Sequence, residues 1–96
     1  MKQMLASLGL IALTALPASA ECYADYKAKQ DDPLQLHYGV IALADDACAS
    51  KDAAAAEIAP RLADAGWTLL AVVSTFGPDG LTEKRKESAG EFYLRF

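Results

Sequence analysis

The chain has 96 residues, of which 13 are acidic and nine are basic, and its formal net charge at pH 7 is −4. This length allows one domain. An acidic chain repels phosphate backbones, so the composition argues against nucleic-acid binding and is typical of a charge that serves solubility.

The first twenty residues have the pattern of a secretory signal peptide. A positive start precedes an apolar run over residues 4–16, and a proline and three small residues at 18–20 suit signal peptidase. The run is shorter than the about 20 apolar residues of a membrane-spanning helix. Because Glu21 rather than a cysteine follows, lipid anchoring is not expected. We predict a signal peptide over residues 1–20 and a mature domain over residues 21–96, periplasmic or secreted, with no stable membrane anchor.

Two cysteines, Cys22 and Cys48, remain after the predicted cleavage. An even pair in an oxidising compartment is typical of a disulfide. The Cys-x-x-Cys spacing of redox sites is missing, which argues against a reactive thiol pair. We therefore predict one disulfide between Cys22 and Cys48. It would stabilise so small a domain by about 3 to 4 kcal/mol in the chain-entropy model.

The first part of the mature chain predicts two elements. Residues 22–30 are rich in helix formers and predict a short N-terminal helix. Apolar and polar side chains also alternate in this segment, so a strand is the alternative. Residues 34–43 predict a strand that is half buried at first and more fully buried towards its end.

A helix is predicted over residues 51–65. Ser50 is a suitable N-cap, Gly66 suits the C′ position, and apolar residues recur at spacings of three and four. Pro60 is a misfit, because it lacks a backbone donor and crowds the preceding turn. We expect a kink with Pro60 on the solvent side; a break into two short helices is the alternative.

The remaining sequence predicts two strands separated by a charged segment. Residues 67–76 are apolar on both faces and are expected to form the most buried strand. Residues 81–90 are polar and predict a mobile loop or a short frayed helix. In residues 91–96, Phe92, Leu94 and Phe96 alternate with Tyr93 and Arg95. This pattern predicts a half-buried final strand.

Together these elements predict an α+β fold. A small three-stranded sheet in β-α-β-β order would carry one long helix on one face, with a short N-terminal helix in front. A right-handed crossover would make the first two strands parallel. We expect the last strand to return antiparallel and to lie between them.

One stretch also resembles a known pattern. Residues 63–73 (ADAGWTLLAVV) join a helix end, a Gly-Trp pair and an apolar strand, and the chain finishes in the aromatic segment FYLRF. This is similar to the signature of small uncharacterised bacterial domains, over residues 34–96. The resemblance implies that Gly66 ends the helix and Trp67 seals the core, and it implies no activity. The chain departs from that pattern in its export, its cysteine pair and its charged loop.

The sequence does not predict an enzyme, a cofactor or a metal site. His37 is the only imidazole, and neither Ser74 nor Ser88 lies in a nucleophile motif. Spacings typical of metal ligands, calcium loops and phosphate-binding loops are missing. Residues 84–86 are basic but flanked by glutamates, which is typical of a solvated loop.

The best candidate for a binding patch is an exposed face of the sheet. The predicted first strand supplies His37 and Tyr38, and the last supplies Tyr93 and Arg95. Our leading hypothesis is a non-catalytic binding or interaction module that uses a sheet face or edge, with an unknown protein partner or as a homodimer. The alternative is an envelope protein that senses a small molecule or a metal through His37.

Overall fold

A computed structural model describes residues 22–96, and the predicted signal peptide lies outside these residues. The strands are β1 (Cys22–Gln30), β2 (Gln35–Leu43) and β3 (Thr68–Phe76), and the helices are α1 (Lys51–Asp64) and α2 (Glu83–Ala89). Short 3-10 turns span Asp45–Ala49, Pro78–Gly80 and Gly90–Phe92. The mixed α+β class is therefore confirmed. Among the described residues, no helix is long and apolar enough to cross a membrane.

The first element is a strand at the centre of the sheet. The predicted N-terminal helix over residues 22–30 is therefore wrong, and its strand alternative is confirmed. β1 pairs antiparallel with β2 on one side and with β3 on the other, in the order β2-β1-β3. Alternate β1 side chains are fully buried: Ala24, Tyr26 and Ala28. Helix propensity is a weak preference, and backbone pairing on both edges together with this buried face outweighs it.

The strand order differs from the predicted arrangement. β2 and β3 are both antiparallel to β1, so they run in the same direction. They are not neighbours, because β1 lies between them, in the place predicted for the last strand. Residues 31–34 form the turn that joins β1 to β2. This local hairpin fills the centre of the sheet and leaves no place there for residues 91–96.

Residues 91–96 do not form the predicted final strand. Gly90–Phe92 is a 3-10 turn, and Tyr93 makes a single parallel bridge to Val40. The N–H of Leu94 donates to the Val40 carbonyl oxygen at 2.8 Å, but Leu94 has a φ of +54°, far from strand geometry. The alternation in this segment therefore reflects aromatic packing, described below, rather than a strand.

α1 confirms the predicted position of the helix, but with 14 residues it is short and is not the long helix that was predicted. The Ser50 hydroxyl accepts a hydrogen bond from the Ala53 N–H at 3.0 Å, as expected of the N-cap. The helix continues through Pro60, which is exposed, so the alternative of two short helices is wrong. Gly66 has a φ of +88°, as expected just after a helix end. The buried stripe is Ala54, Ile58 and Leu62.

β3 is an edge strand, and the prediction that it would be the most buried strand is wrong. None of its nine residues is fully buried. Its register with β1 skips Leu70 and Val73, which is the mark of two β-bulges. These two side chains are 51% and 40% exposed. An apolar run resembles a central strand in sequence, but here only β1 pairs with it and the bulges turn side chains outward.

The charged segment 81–90 contains a short helix, as the alternative predicted, but this helix is capped and docked on the sheet rather than frayed. The predicted mobile loop is wrong. The Thr82 hydroxyl accepts a hydrogen bond from the Arg85 N–H at 3.2 Å and caps the helix. Ala89 at its end is buried, and Gly90, with a φ of +56°, stops it. α2 lies on the sheet face opposite α1, where Arg85 reaches β1.

The Cys22–Cys48 disulfide is confirmed. It joins the start of β1 to the turn Asp45–Ala49, with the two Cα atoms 6.4 Å apart. This separation lies within the range of about 4.4 to 6.8 Å that disulfides require. The central strand is thereby tied to the segment that leads into α1.

Candidate functional site

The two faces of the sheet differ in how much of them is covered. α1 covers the face that carries Tyr26 and the alanines of β1. α2 has only seven residues and covers one end of the other face, where Val40 of β2 is fully buried. At the other end of that face Leu36, also on β2, is 66% exposed. This end of the face is therefore open.

A groove of about 320 Å³ lies at this open end. We call it the sheet groove, and six residues from all three strands line it: Lys27, Ala28, Leu36, His37, Tyr38 and Leu70. Leu36 and Leu70 are both more than half exposed. The volume is at the small end of the range of about 300 to 1,000 Å³ found for ligand pockets. Exposed apolar side chains beside a concave surface are typical of a binding site.

Lys27 brings a positive charge to the sheet groove. It lies directly across from Tyr38 in the β1–β2 ladder. No carboxylate of residues 22–96 forms an ion pair with Lys27, whereas its neighbour Lys29 lies 3.4 Å from Asp31. A lysine can lay its aliphatic stem along apolar surface while its ammonium stays in water. The groove thus combines apolar walls with one ammonium that has no carboxylate partner.

A buried carboxylate, Asp25, holds Tyr38 in place beside the groove. Asp25 is 4% exposed. The Tyr38 hydroxyl donates to its Oδ2 at 2.8 Å, and the Ser74 hydroxyl donates to its Oδ1 at 2.7 Å. The Nε of Arg85 donates to Oδ2 at 3.3 Å. A buried charge is tolerated only when it is paired and hydrogen-bonded in this way.

Burial and these hydrogen bonds set the charge states of Asp25 and Tyr38. Burial by itself would raise the pKa of Asp25, but the hydrogen bonds from Ser74, Tyr38 and Arg85, and the charge of Arg85, hold it below its usual value. Burial, with Asp25 as a neighbour, raises the pKa of Tyr38 to about 12. At neutral pH the carboxylate is therefore ionised and the phenol is protonated. The phenol proton is committed to Asp25 and is not available to a ligand.

Arg85 fastens α2 to the sheet and was missed in the sequence. Its guanidinium lies 4.0 Å from the centroid of the Phe76 ring and donates to the Gly80 carbonyl oxygen at 2.9 Å. In the sequence it belongs to a basic cluster that is typical of a solvated loop. The Thr82 cap could have indicated the helix. No sequence signal points to Asp25, its partner 60 positions away.

The His37 ring lies in an aromatic cluster on the α1 side of the sheet. Its Nε2 is 2.9 Å from the Tyr26 hydroxyl oxygen. It stacks on Phe92 with ring centroids 3.7 Å apart and meets Trp67 edge-on at 4.3 Å. The Tyr26 ring reaches His37 because its cross-strand neighbour is Gly39, where a Cβ would overlap that ring. The cluster is therefore built around a close approach that only glycine permits.

The His37–Tyr26 pair is uncharged at neutral pH. Burial lowers the pKa of His37, the charge of Arg95 lowers it further, and Glu91 opposes the shift. Burial raises the pKa of Tyr26 to about 12, against the effect of Arg61. The Nδ1 of His37 is buried and has no hydrogen-bond partner among the described residues. The imidazole thus serves as a neutral ring within the core.

The structure brings two of the four predicted binding residues to the groove and places the other two outside it. His37 and Tyr38 line the sheet groove, although their side chains leave β2 on opposite faces. Tyr93 lies beside the edge of β2. Arg95 lies over the Phe92 ring, 5.6 Å from its centroid. Tyr93 and Arg95 therefore do not belong to the groove.

Four groove residues were not among the predicted site residues: Lys27, Ala28, Leu36 and Leu70. Leu36 shares a face with Tyr38 in the predicted strand over residues 34–43, so the alternation could have indicated it. Lys27 was placed in a helix by local propensity. The exposure of Leu70 depends on a bulge, for which the sequence carries no signal.

Comparisons with known proteins do not identify a relative, since no protein-family model, no curated protein and no solved structure matches this chain. The resemblance to small bacterial domains stays a prediction. Within residues 22–96, no group of three or more histidine, cysteine, aspartate or glutamate side chains is placed to hold a metal ion. Function is therefore inferred from the geometry of the groove and its neighbours.

Proposed function

We propose that the mature domain is a non-catalytic binding module that works outside the cytoplasm, and that the sheet groove is its contact surface. The observation that carries this proposal is the exposure of Leu36 and Leu70, 66% and 51%, beside a concave surface. Fully burying a leucine side chain contributes about 1.5 to 3 kcal/mol. A partner that covers both leucines therefore gains appreciable affinity.

The face of the sheet is a better contact surface than either edge. The outer edge of β2 is partly occupied, since Leu94 donates to the Val40 carbonyl oxygen. The outer edge of β3 carries no charged residue, but bulges at Leu70 and Val73 interrupt the regular ladder that an added strand needs. Binding in the groove requires no such ladder.

The groove is supported by contacts that limit its motion. Asp25 fixes Tyr38 by a hydrogen bond of 2.8 Å, and Arg85 fixes α2 to the same face of the sheet. The disulfide ties Cys22, at the start of the central strand, to Cys48. A site that is already ordered loses less conformational entropy when a ligand binds.

Export is part of the proposal and rests on the signal pattern over residues 1–20. The Cys22–Cys48 disulfide supports it, because disulfides persist mainly in oxidising compartments such as the periplasm and the extracellular space. We expect the exported protein to have the intact mass of a chain that begins at Glu21. A full-length chain retained in the membrane fraction would contradict export.

The surroundings of His37 favour binding over catalysis. His37 is the only histidine of the chain, and its ring contacts the Tyr26 phenol and the Phe92 ring instead of a serine or a carboxylate. It is therefore not placed as a general base. Sensing of a metal or small molecule through His37 has weaker support for a similar reason. Its Nε2 is engaged by Tyr26 and its Nδ1 is buried.

Titration of the mature domain with a neutral apolar probe tests the proposal. We expect decanol, kept below its solubility limit, to shift the backbone amide resonances of Lys27, Leu36 and Leu70. The double variant Leu36→Ser/Leu70→Ser should lose this response. Leu94→Ser, which changes a leucine that is 41% exposed outside the groove, should keep it. Shifts scattered over the whole surface, or an unchanged response in the double variant, would contradict the proposed contact surface.

A further inference from the structure

We propose that the sheet groove takes a single-chain amphiphile that carries one carboxylate. Its alkyl chain would lie between Leu36 and Leu70, and its head group would meet the ammonium of Lys27. This inference rests on the proposed function and adds the chemical class of the ligand.

The charge pattern around the groove points to an anionic head group. Lys27 is the only lysine or arginine among the groove residues, and no carboxylate of the described chain pairs with it. The nearby Lys29 is already paired with Asp31 at 3.4 Å. An anion at Lys27 would match the one charge that the groove leaves unpaired. A neutral amphiphile would fill the apolar part and leave this ammonium without a partner.

The groove offers one positive charge, which suits a carboxylate better than a phosphate. Phosphate sites generally use an arginine fork or several backbone donors. Here the guanidinium of Arg85, on the same face of the sheet, is engaged by Asp25, Ser74 and Gly80. The Tyr38 hydroxyl is engaged by Asp25 as well. One ammonium therefore balances one carboxylate and no further charge.

Size and charge favour a small amphiphile over larger partners. A groove of about 320 Å³ accepts one chain of a small molecule. Membrane surfaces attract clusters of several basic residues, whereas this groove has one ammonium in a chain with a net charge of −4. A symmetric dimer that joined two grooves face to face would bring two Lys27 ammonium groups together without an anion between them.

A matched pair of probes tests the inference. Decanoate and decanol have the same chain length and differ in charge, and both are titrated as monomers into the mature domain. We expect decanoate to bind about three to five times more tightly at low salt, as an exposed ion pair allows, and this preference should shrink as salt is added. Lys27→Gln should abolish the preference, and Lys27→Arg should retain it. Lys51→Gln, an exposed lysine on α1, is the control and should leave it unchanged.

The two proposals fail in different ways. If decanol and decanoate bind the groove equally well, or if Lys27→Gln keeps the preference, the contact surface stands and the carboxylate inference is wrong. If neither probe binds the groove, the proposed function is wrong as well. Binding to phosphatidylglycerol vesicles without binding of monomeric decanoate would assign the surface to a membrane and overturn the inference. Sedimentation as a dimer that buries Lys27 would overturn it in favour of a second copy of this chain.

Discussion

Replacing Arg85 with methionine tests the contact that keeps α2 on the sheet. Methionine preserves an unbranched stem and removes the guanidinium. That group donates to three acceptors, at 3.3 Å to Asp25, 2.9 Å to Gly80 and 3.4 Å to Ser74. It also lies 4.0 Å from the centroid of the Phe76 ring. We expect Arg85→Met to lower the free energy of unfolding and to loosen α2.

The expected loss is about 2 kcal/mol. A hydrogen bond to a charged group such as Asp25 contributes about 1.5 to 3 kcal/mol, and a cation over an aromatic ring contributes about 0.5 to 1 kcal/mol at exposed sites. The Arg85 side chain is 29% exposed, so solvent screening reduces the first figure. Ser74 and Tyr38 continue to donate to Asp25 in the variant, which limits the loss further. For a domain of this size such a change is a large part of a stability near about 5 kcal/mol.

Urea denaturation followed by circular dichroism measures this loss. Lys84→Met is the matched control, because Lys84 is exposed on the same helix, and it should change stability by no more than about 0.5 kcal/mol. Asp25→Asn combined with Arg85→Met gives the coupling energy of the pair. An Arg85→Met variant as stable as wild type, or a loss of equal size in Lys84→Met, would refute the assignment of Arg85 as the anchor of α2.

The same variant should also respond differently to acid. The pKa of Asp25 in the folded state is lowered below the unfolded value of 3.8. Its contribution to stability is therefore present above pH 3.8 and is lost as the pH falls through the folded pKa. Arg85→Met removes one cause of the lowering, so the variant has less of this contribution to lose. The stability gap between wild type and variant should narrow in acid, and a constant gap would show that the charge of Asp25 is not involved.

Three further predictions concern the disulfide and the aromatic cluster. Cys48→Ser should lower the free energy of unfolding in urea by about 2 to 4 kcal/mol, and an unchanged midpoint would contradict this. Gly39→Val should displace the Tyr26 ring and lower stability by about 1 to 3 kcal/mol in thermal unfolding; a neutral effect would argue against the close approach. The pKa of His37 is lowered in the folded state, so stability should fall as the pH drops below the unfolded value of 6.5, and His37→Gln should remove this dependence.

The features that sequence reasoning predicted correctly are those with local causes. The bounds of α1 follow from the Ser50 cap, the apolar spacing and Gly66, which all lie within or beside the helix. The disulfide was predictable because the chain has two cysteines and because the signal pattern indicates an oxidising compartment. The exposure of Pro60 was predictable because this residue lacks a backbone N–H donor and because the apolar stripe that becomes buried lies on the other side of α1. Each of these signals is read without knowledge of distant contacts.

The strand order was not predictable because distant pairing decides it. Residues 22–30 have helix propensity, but as β1 they pair with β3, whose residues lie about 40 to 50 positions further along the chain. That pairing gives the central place to β1 and leaves β3 at an edge. Residues 91–96 then cannot pair at the centre of the sheet, and they meet it at the outer edge of β2, where one bridge forms. Alternation in a short aromatic segment does not distinguish these outcomes.

The candidate site was predictable only in part for related reasons. Tyr38 was assigned to an exposed sheet face, and it does line the groove. His37 lines it too, although its ring lies in the aromatic cluster. The ammonium of Lys27 became part of the site only because its segment is a strand. Leu70 became part of it through a bulge, which arises from the pairing of whole strands and has no local signature.

The short length of α2 explains why a groove exists on this face. Seven helical residues span about 10 Å, whereas the nine residues of β2 extend over about 30 Å. The Thr82 cap and Gly90 with its positive φ confine the helix to that length, so a large part of the face stays uncovered. If that part of the face were only a solvent-exposed surface, polar residues would suit all three strands. β1 does place Lys27 there, but β2 and β3 place leucines on either side. Exposed leucines favour non-specific association, and their position beside an unpaired ammonium is the basis on which we propose a ligand with an alkyl chain and one negative charge.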